Sequence, residues 1–284
     1  MSDLRALVAA ELAEPVDPKV ASMAAAIAAQ HGKASRAVLF YGSCLREKQL
    51  DGLMLDFYLI VSDYRTAYPK RWMATANRLI PPNVFPFTHD GLAAKYAVLS
   101  EADFLRLNGP ETRNVSVWAR FAQPSRLVWA ADQDARADAI DAVSSAAPTL
   151  LGAAGRVSGE DMLDWWRRAF SLTYSAELRA ERKGRSQSVV DSDPDRYRWF
   201  GEAAVPSVGA NAGGWRRRRI EGKLLSVARL AKASATYAGG ADYIAWKINR
   251  HAGTDFQLTP WQKRHPLLAA ISLLPRLLKS GAIR

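Results

Sequence analysis

The chain has 284 residues, 49% of them hydrophobic, and its 39 lysines and arginines against 28 acids give a formal charge of +11. That length and apolar content argue against a disordered chain and supply one large or two ordinary domains, while the charge favours anionic partners such as nucleic acid, nucleotide phosphates or an acidic membrane surface. A single cysteine, Cys44, excludes an internal disulfide framework and a cysteine-rich zinc site and suits a reducing compartment; the four histidines show no HxxH or HExxH spacing.

Residues 1–33 carry Asp3, Glu11, Glu14 and Asp17 among their apolar positions, which fits neither a signal peptide nor an acid-poor transit peptide. No run reaches the roughly 18 apolar residues of a membrane span, so a soluble or peripherally bound protein is expected. Ala21 to Ala29 reads as a helix ending at Gly32, followed by two strands, "RAVLFYG" and "LMLDFYLIVSD". Helical signals return in "YPKRWMATANRLI" before Pro81-Pro82-Asn83 breaks the chain, and "AAKYAVLS" reads as a third strand. Ser100 and Asp103 then form a near capping box at the start of "SEADFLRL".

Beyond Asn108 the pattern turns helical. In "SGEDMLDWWRRAFSLTYSAELRAER", Met162, Trp165, Trp166, Ala169, Leu172, Thr173 and Ala176 form one stripe, with Glu160, Asp161 and Asp164 in the first turn. Residues 184–195 read as a polar loop, and two more helices follow, separated by Gly239-Gly240. At the C-terminus, Leu267, Ile271, Leu274 and Leu278 line one side of a basic helix interrupted by Pro275, with no acid after Asp255. Such a segment suits an in-plane anchor on anionic headgroups or a helix docked on the core. The basic run "WRRRRIEGK" likewise fits a phosphate-binding patch or a solvated helix start, whereas Asp242 and His251 fit structural roles at helix ends.

The residues with most chemical content are Gly42, Ser43 and Asp56. Strand alternation puts Met54, Asp56 and Tyr58 on one face, so a lone carboxylate stands in an apolar run and needs a partner. Mg²⁺ would serve, because it takes carboxylate oxygens while keeping phosphate oxygens of a substrate in its other positions. A Gly-Ser turn just upstream would let backbone N–H groups and a hydroxyl approach those phosphates. The same residues also fit a common turn pair and a strand-edge acid bonded to neighbouring N–H groups, and Met54 stands where a two-metal site usually has a second carboxylate.

"FYGSCLREKQLDGLMLDFYLIV" resembles the YGSG…MLDFIF segment of the mitochondrial translocator assembly and maintenance family, phosphatidate cytidylyltransferases related to polymerase-β-type nucleotidyltransferases. "AAKYAVLSEADFL", "WARFAQPSRLVW" and "LTYSAELRAER" are similar, in the same order, to its KYGVVS-x-x-DLL, AGR-x-x-KPV and Y-x-GDFRM stretches, so the resemblance covers roughly residues 38–183. It departs at Cys44 and Ala97 for glycines, at Gln123 for a lysine, at Glu177 for an aspartate, and at Trp72, which lacks the following histidine.

The resemblance implies a nucleotidyltransferase-like α/β domain over residues 1–107, with a mixed sheet and flanking helices. A mainly helical region, winged-helix-like in part, would occupy 108–255 and the basic amphipathic segment 256–284. It implies synthesis of CDP-diacylglycerol from CTP and phosphatidic acid, with Mg²⁺ or another divalent cation, at the inner face of a membrane from the cytoplasmic side and with no nucleic-acid partner. Asp56 and Glu177 would be metal ligands; Asp56, Lys95 and Glu177 catalytic; Gly42, Ser43, Arg120 and Arg179 nucleotide contacts. Independently of the resemblance, Glu177 lies three turns beyond Trp166, so a continuous helix would aim it along the tryptophan stripe, as a metal ligand or as a partner for a lysine such as Lys95; an acid emerging at the helix end is the alternative. Two other functions fit the same residues: nucleotidyl transfer to RNA, a protein or a small molecule, and non-catalytic nucleic-acid binding, although no RNA-reading motif is present.

Overall fold

A computed structural model describes residues 3–46, 50, 52–177, 185–209, 213–236 and 259. The chain opens with α1 (Leu4–Leu12) and α2 (Pro18–His31), each capped by an aspartate: Asp3 accepts the Arg5 N–H at 3.0 Å and Asp17 the Lys19 N–H at 2.8 Å. β1 (Ser35–Tyr41) and β2 (Met54–Val61) follow the two predicted apolar runs and pair antiparallel. Short α3 (Tyr64–Ala67) and α4 (Arg71–Leu79) lead to β3 (Asn83–His89) and β4 (Leu92–Ser100). α5 (Glu101–Asn108) starts as the capping signature predicts, Ser100 accepting the Asp103 N–H at 3.2 Å. α6 (Trp118–Phe121) and β5 (Ser125–Ala130) precede α7 (Gln133–Ser144), α8 (Ala146–Ala154), α9 (Met162–Ala176), α10 (Arg185–Asp191), α11 (Pro194–Ala204) and α12 (Trp215–Thr236).

The strands form one mixed sheet in the order β3-β4-β2-β1-β5, with β2 and β4 parallel and the other neighbours antiparallel. The expected α/β fold with flanking helices and a helical C-terminal region is therefore what this chain adopts. Strand alternation divides the core in two. Leu39, Tyr58, Ile60 and Leu99 face α1 and α5 to α11, while Val38, Phe57, Leu59 and Val98 face α2, α3 and α4. Fully buried Phe57 and Leu39 each contribute roughly 1.5–3 kcal/mol from burial. Buried Arg196 donates to Glu11 Oε1 at 2.9 Å and to the Ala122 carbonyl at 3.2 Å, tying α11 to α1 and to the end of α6.

Three expectations are corrected. The boundary at 107/108 falls inside the sheet-bearing unit, because β5 comes from beyond it and pairs with β1 along the sheet edge. "AAKYAVLS" is the fourth strand and not the third, because "NVFPFTH" before it is a strand despite Pro86; that strand lies on the opposite edge, where a missing N–H need not cost a ladder bond. It forms a hairpin with β4 through Asp90 and Gly91, both at positive φ. Residues 185–195 are not a loop: α10 buries Val189 and Val190, and Asp193 caps α11, which has Pro194 in its first turn. The C-terminal segment 256–284, apart from Thr259, lies outside the described residues, as do Arg179, Asp242 and His251.

Candidate functional site

Asp56 is placed by two strand pairings. It is the register partner of Tyr41, the last residue of β1, and of Lys95 across the parallel β2–β4 pair. Gly42 follows Tyr41 at φ +97, a backbone that L side chains rarely adopt, and the chain turns there into a 3₁₀ segment, Ser43–Arg46, closed by the Leu45 N–H on the Gly42 carbonyl at 3.3 Å. A Cβ built on Gly42 would lie 3.5 Å from Asp56 Oδ2, so the turn backbone faces the carboxylate directly. Buried Cys44 contacts the Met54 carbonyl through Sγ at 3.5 Å, which fastens the turn to the start of β2.

Lys95 Nζ stands 2.9 Å from Asp56 Oδ1. That oxygen is buried and accepts no hydrogen bond of good geometry, so the contact is a pairing of charges approached off the hydrogen-bonding direction. A carboxylate oxygen removed from water with its lone pairs unused is costly unless something else fills them.

A second group of charges lies on the same face. Tyr41 and Tyr58 pack at 5.2 Å between ring centroids, tilted by 49°, with Phe121 of α6 against both. Arg120 of α6 donates to the Ser116 carbonyl, and its Nη1 lies 3.7 Å from Glu177 Oε1. Burial pulls the Arg120 guanidinium down, but Glu177 first, then the oxygens of Tyr58, Tyr41 and Asp56, outweigh it and hold the group above its ordinary value. Its charge is therefore fixed. Burial and then the Asp56 charge push the Tyr41 phenol well up; burial likewise raises Tyr58, against the opposing charges of Arg120 and Arg229. Both are neutral hydroxyls at physiological pH.

Glu177 reaches this cluster because α9 stops one residue before it. The helix ends at Ala176 and Glu177 is an extended cap at φ −111, ψ 154, yet only 6% exposed. Of the expected stripe, Trp165, Trp166, Ala169, Thr173 and Ala176 are buried, with Leu163 and Phe170 beside them, while Met162 and Leu172 are only half-buried. Across this end lies α12, which approaches through Gly222: any Cβ there would collide with the Ala176 carbonyl.

Two turns further, α12 delivers Arg229 and Lys232. Arg229 donates from Nε to the Pro81 carbonyl at 2.7 Å and from Nη1 to Ser116 Oγ at 3.0 Å. Its Nη2 is buried with no hydrogen-bond partner among the described residues. Lys232 donates to the Ile80 carbonyl and to that of Pro82 at 2.8 Å, and burial, then Arg229, push its ammonium down to about 7.

Gly42, Asp56 and Lys95 thus meet at one end of the sheet, with exposed Ser43 opening the turn, and Arg120 and Glu177 meet beside them. Sequence reasoning missed Tyr41, Tyr58, Arg229 and Lys232. A signal for Arg229 exists: Arg218, Gly222, Ser226 and Arg229 recur every three or four residues, a small-residue face bracketed by cations, and Arg218 is indeed buried against the Thr112 carbonyl at 3.0 Å.

No group of three or more His, Cys, Asp or Glu capable of holding a metal occurs among the described residues. Mg²⁺ needs no such cage, since it is commonly bound by one or two carboxylates plus substrate phosphates. The Asp56 carboxylate fits that mode: Oδ1 is paired in charge with Lys95 and accepts no hydrogen bond, and Oδ2 faces the glycine turn. Glu177 is different, because Arg120 is its closest described ionic partner and the Glu177 charge also supports Arg229. A groove of about 270 Å³ between α5 and α7 is lined by Glu101, Asp138 and Asp141 and has the wrong sign for a polyphosphate. No protein-family model matches the sequence, and a comparison with curated proteins finds no match.

Proposed function

We propose that this chain is a nucleotidyltransferase that transfers a cytidylyl group from CTP to phosphatidic acid, giving CDP-diacylglycerol and pyrophosphate. The observation that carries the transfer chemistry is Asp56, seated between Lys95 and the backbone of the Gly42 turn, with its buried Oδ1 accepting no hydrogen bond. The choice of CTP and phosphatidic acid rests on the resemblance of the Gly-Ser, Lys95, Arg120 and Glu177 stretches.

In this reading Gly42 and Ser43 cradle the β- and γ-phosphates, and a side chain at residue 42 would stand 3.5 Å from Asp56 Oδ2, between the turn and the carboxylate. Asp56 would hold a divalent cation, which when bound neutralises the triphosphate and draws electron density from the α-phosphorus. Lys95 neutralises Asp56 in the free protein and turns to phosphate oxygens once the carboxylate has another partner. Arg120 keeps its charge at every physiological pH and stabilises charge on the α-phosphate, with Glu177 fixing its position.

A phosphate oxygen of the acceptor bonds to the α-phosphorus as the bond to the bridging oxygen breaks, and pyrophosphate leaves with that electron pair. The attacking oxygen is already ionised, so no general base is required, and the protein contributes positioning and charge neutralisation. No helix among the described residues is long and apolar enough to cross a membrane. Ile220 and Leu224 are 55% and 65% exposed among Arg216, Arg217, Arg219 and Lys223 on α12, a composition suited to a peripheral contact with anionic lipid.

Incubating the protein with each α-labelled nucleoside triphosphate, Mg²⁺ and phosphatidic acid tests the proposal. Labelled CDP-diacylglycerol formed from CTP alone supports it. Transfer to RNA, protein or a soluble acceptor instead would reassign the substrate, and transfer to nothing would remove the activity.

A further inference from the structure

We propose that Arg229, together with Arg120 and Lys232, seats a phosphomonoester dianion, the reacting group of the acceptor, at a subsite separate from the triphosphate grip of the Gly42 turn. The term acceptor rests on the nucleotidyl-transfer reading; the anion site does not.

The first support is the way Arg229 is held. Nε on the Pro81 carbonyl and Nη1 on Ser116 Oγ fix the guanidinium plane from two separate segments, leaving Nη2 buried and without a hydrogen-bond partner among the described residues. A buried donor left over after the side chain has been anchored is what an absent acceptor atom would satisfy, and a guanidinium edge is suited to phosphate oxygens. The second support is charge. Arg120, Arg229 and Lys232 lie within electrostatic reach of one another, Arg120 acting on Arg229 and Arg229 on Lys232, so the three cations repel along one line of the described residues. A phosphomonoester dianion bound among them relieves that repulsion. Burial and Arg229 also depress the Lys232 ammonium, a cost that an incoming dianion reverses.

Location separates this subsite from the nucleotide's phosphates. The Gly42 turn lies at the β1–β2 end of the sheet, whereas Arg229 and Lys232 are anchored to the Ile80–Pro82 link and to Ser116. Tyr58 lies between, within electrostatic reach of both Arg229 and Asp56, so the two subsites adjoin. Leu79 is 72% exposed and precedes the residue whose carbonyl Lys232 holds, which provides apolar surface for an acyl chain next to the cations.

Kinetics with dioleoyl phosphatidic acid in mixed micelles test this. Arg229→Gln should raise the KM for phosphatidic acid by roughly 10- to 100-fold, the loss of a charge-assisted pair. The KM for CTP should stay within about twofold, and Arg229→Lys should recover part of the loss. Lys232→Gln leaves both Arg229 anchors in place, should give a smaller rise of roughly three- to tenfold, and covers the case in which Arg229→Gln does not fold. Equal rises in both KM values, or none, would overturn the subsite.

A binding arm stands apart from turnover: titration of wild type, Arg229→Gln and Asp56→Asn with glycerol 3-phosphate and with phosphatidic acid vesicles. Binding kept in Asp56→Asn and lost in Arg229→Gln supports the subsite even in a protein that transfers nothing. Binding of vesicles alone assigns it to a lipid headgroup, and binding of both probes to phosphomonoesters generally. Wild-type protein that binds neither overturns it and leaves nucleotidyl transfer to its own assay.

Discussion

Asp56 and Lys95 are register partners across the parallel β2–β4 pairing, and their charges meet at 2.9 Å. Each is about a quarter exposed, so the pair is screened only in part, and Lys95 serves as the carboxylate's counter-ion in the free protein. A divalent cation bound at Asp56 must therefore compete with a tethered ammonium, which links metal affinity to the state of Lys95.

Lys95→Met should lower stability by about 1–3 kcal/mol, because it removes the cation in contact with a carboxylate whose Oδ1 is buried. Mg²⁺ should then raise the melting temperature of the variant more than that of wild type, since a ligand stabilises the state that binds it. Thermal melts at several Mg²⁺ concentrations check this; equal shifts in the two proteins would exclude Asp56 as the cation's site.

Gly42→Ala should cost about 1–2 kcal/mol from its positive φ, and should also place a methyl group 3.5 Å from Asp56 Oδ2, reducing turnover at least tenfold. Gly91→Ala is the control. Its φ is +75 and its Cβ would meet nothing within 4 Å, so comparable strain arises in the β3–β4 hairpin with no contact to Asp56. Stability should fall in both variants and activity in Gly42→Ala alone.

Gly222→Ala should push α12 off the end of α9, because the added methyl collides with the Ala176 carbonyl. A loss of about 1–3 kcal/mol is expected from overpacking, with turnover falling further than stability predicts, since Arg229 and Lys232 move with the helix. Denaturant melts alongside steady-state rates separate the two effects.

The Lys232 ammonium has a folded value of about 7 against an ordinary 10.5, owing first to burial and then to Arg229. Between those values the unfolded chain holds the proton and the folded chain does not, so this group makes stability rise with pH from about 7 upward. Below pH 7 both states are protonated and the penalty is fully present. Tyr41 and Tyr58 are pushed up and do not ionise in the window below pH 10. Urea melts from pH 6.5 to 9.5 should therefore show a steeper rise for wild type than for Lys232→Met.

The central strands were legible because an unbroken apolar run with one acid leaves few alternatives: β1 and β2 lie where "RAVLFYG" and "LMLDFYLIVSD" place them, and Asp56 shares a face with Tyr58. The edges were less legible. Pro86 hides β3, although the Asp90-Gly91 pair signals its hairpin, and β5 is a six-residue strand among helices whose membership depends on the distant β1. Residues 185–195 look polar because two buried valines suffice to dock a short helix. Lys95 was matched by resemblance, and its contact with Asp56 follows from a parallel register set by the whole sheet. Arg229 and Lys232 lie 173 and 176 positions beyond Asp56, and chain pattern carries no information about such a meeting.

Mg²⁺-dependent formation of CDP-diacylglycerol by wild type and by Asp56→Asn, compared at equal thermal stability, tests the account most directly. The expected result is magnesium-dependent turnover in wild type and a rate at least about a hundredfold lower in the variant. An Asp56→Asn protein as fast as wild type, with the same magnesium dependence, would contradict it.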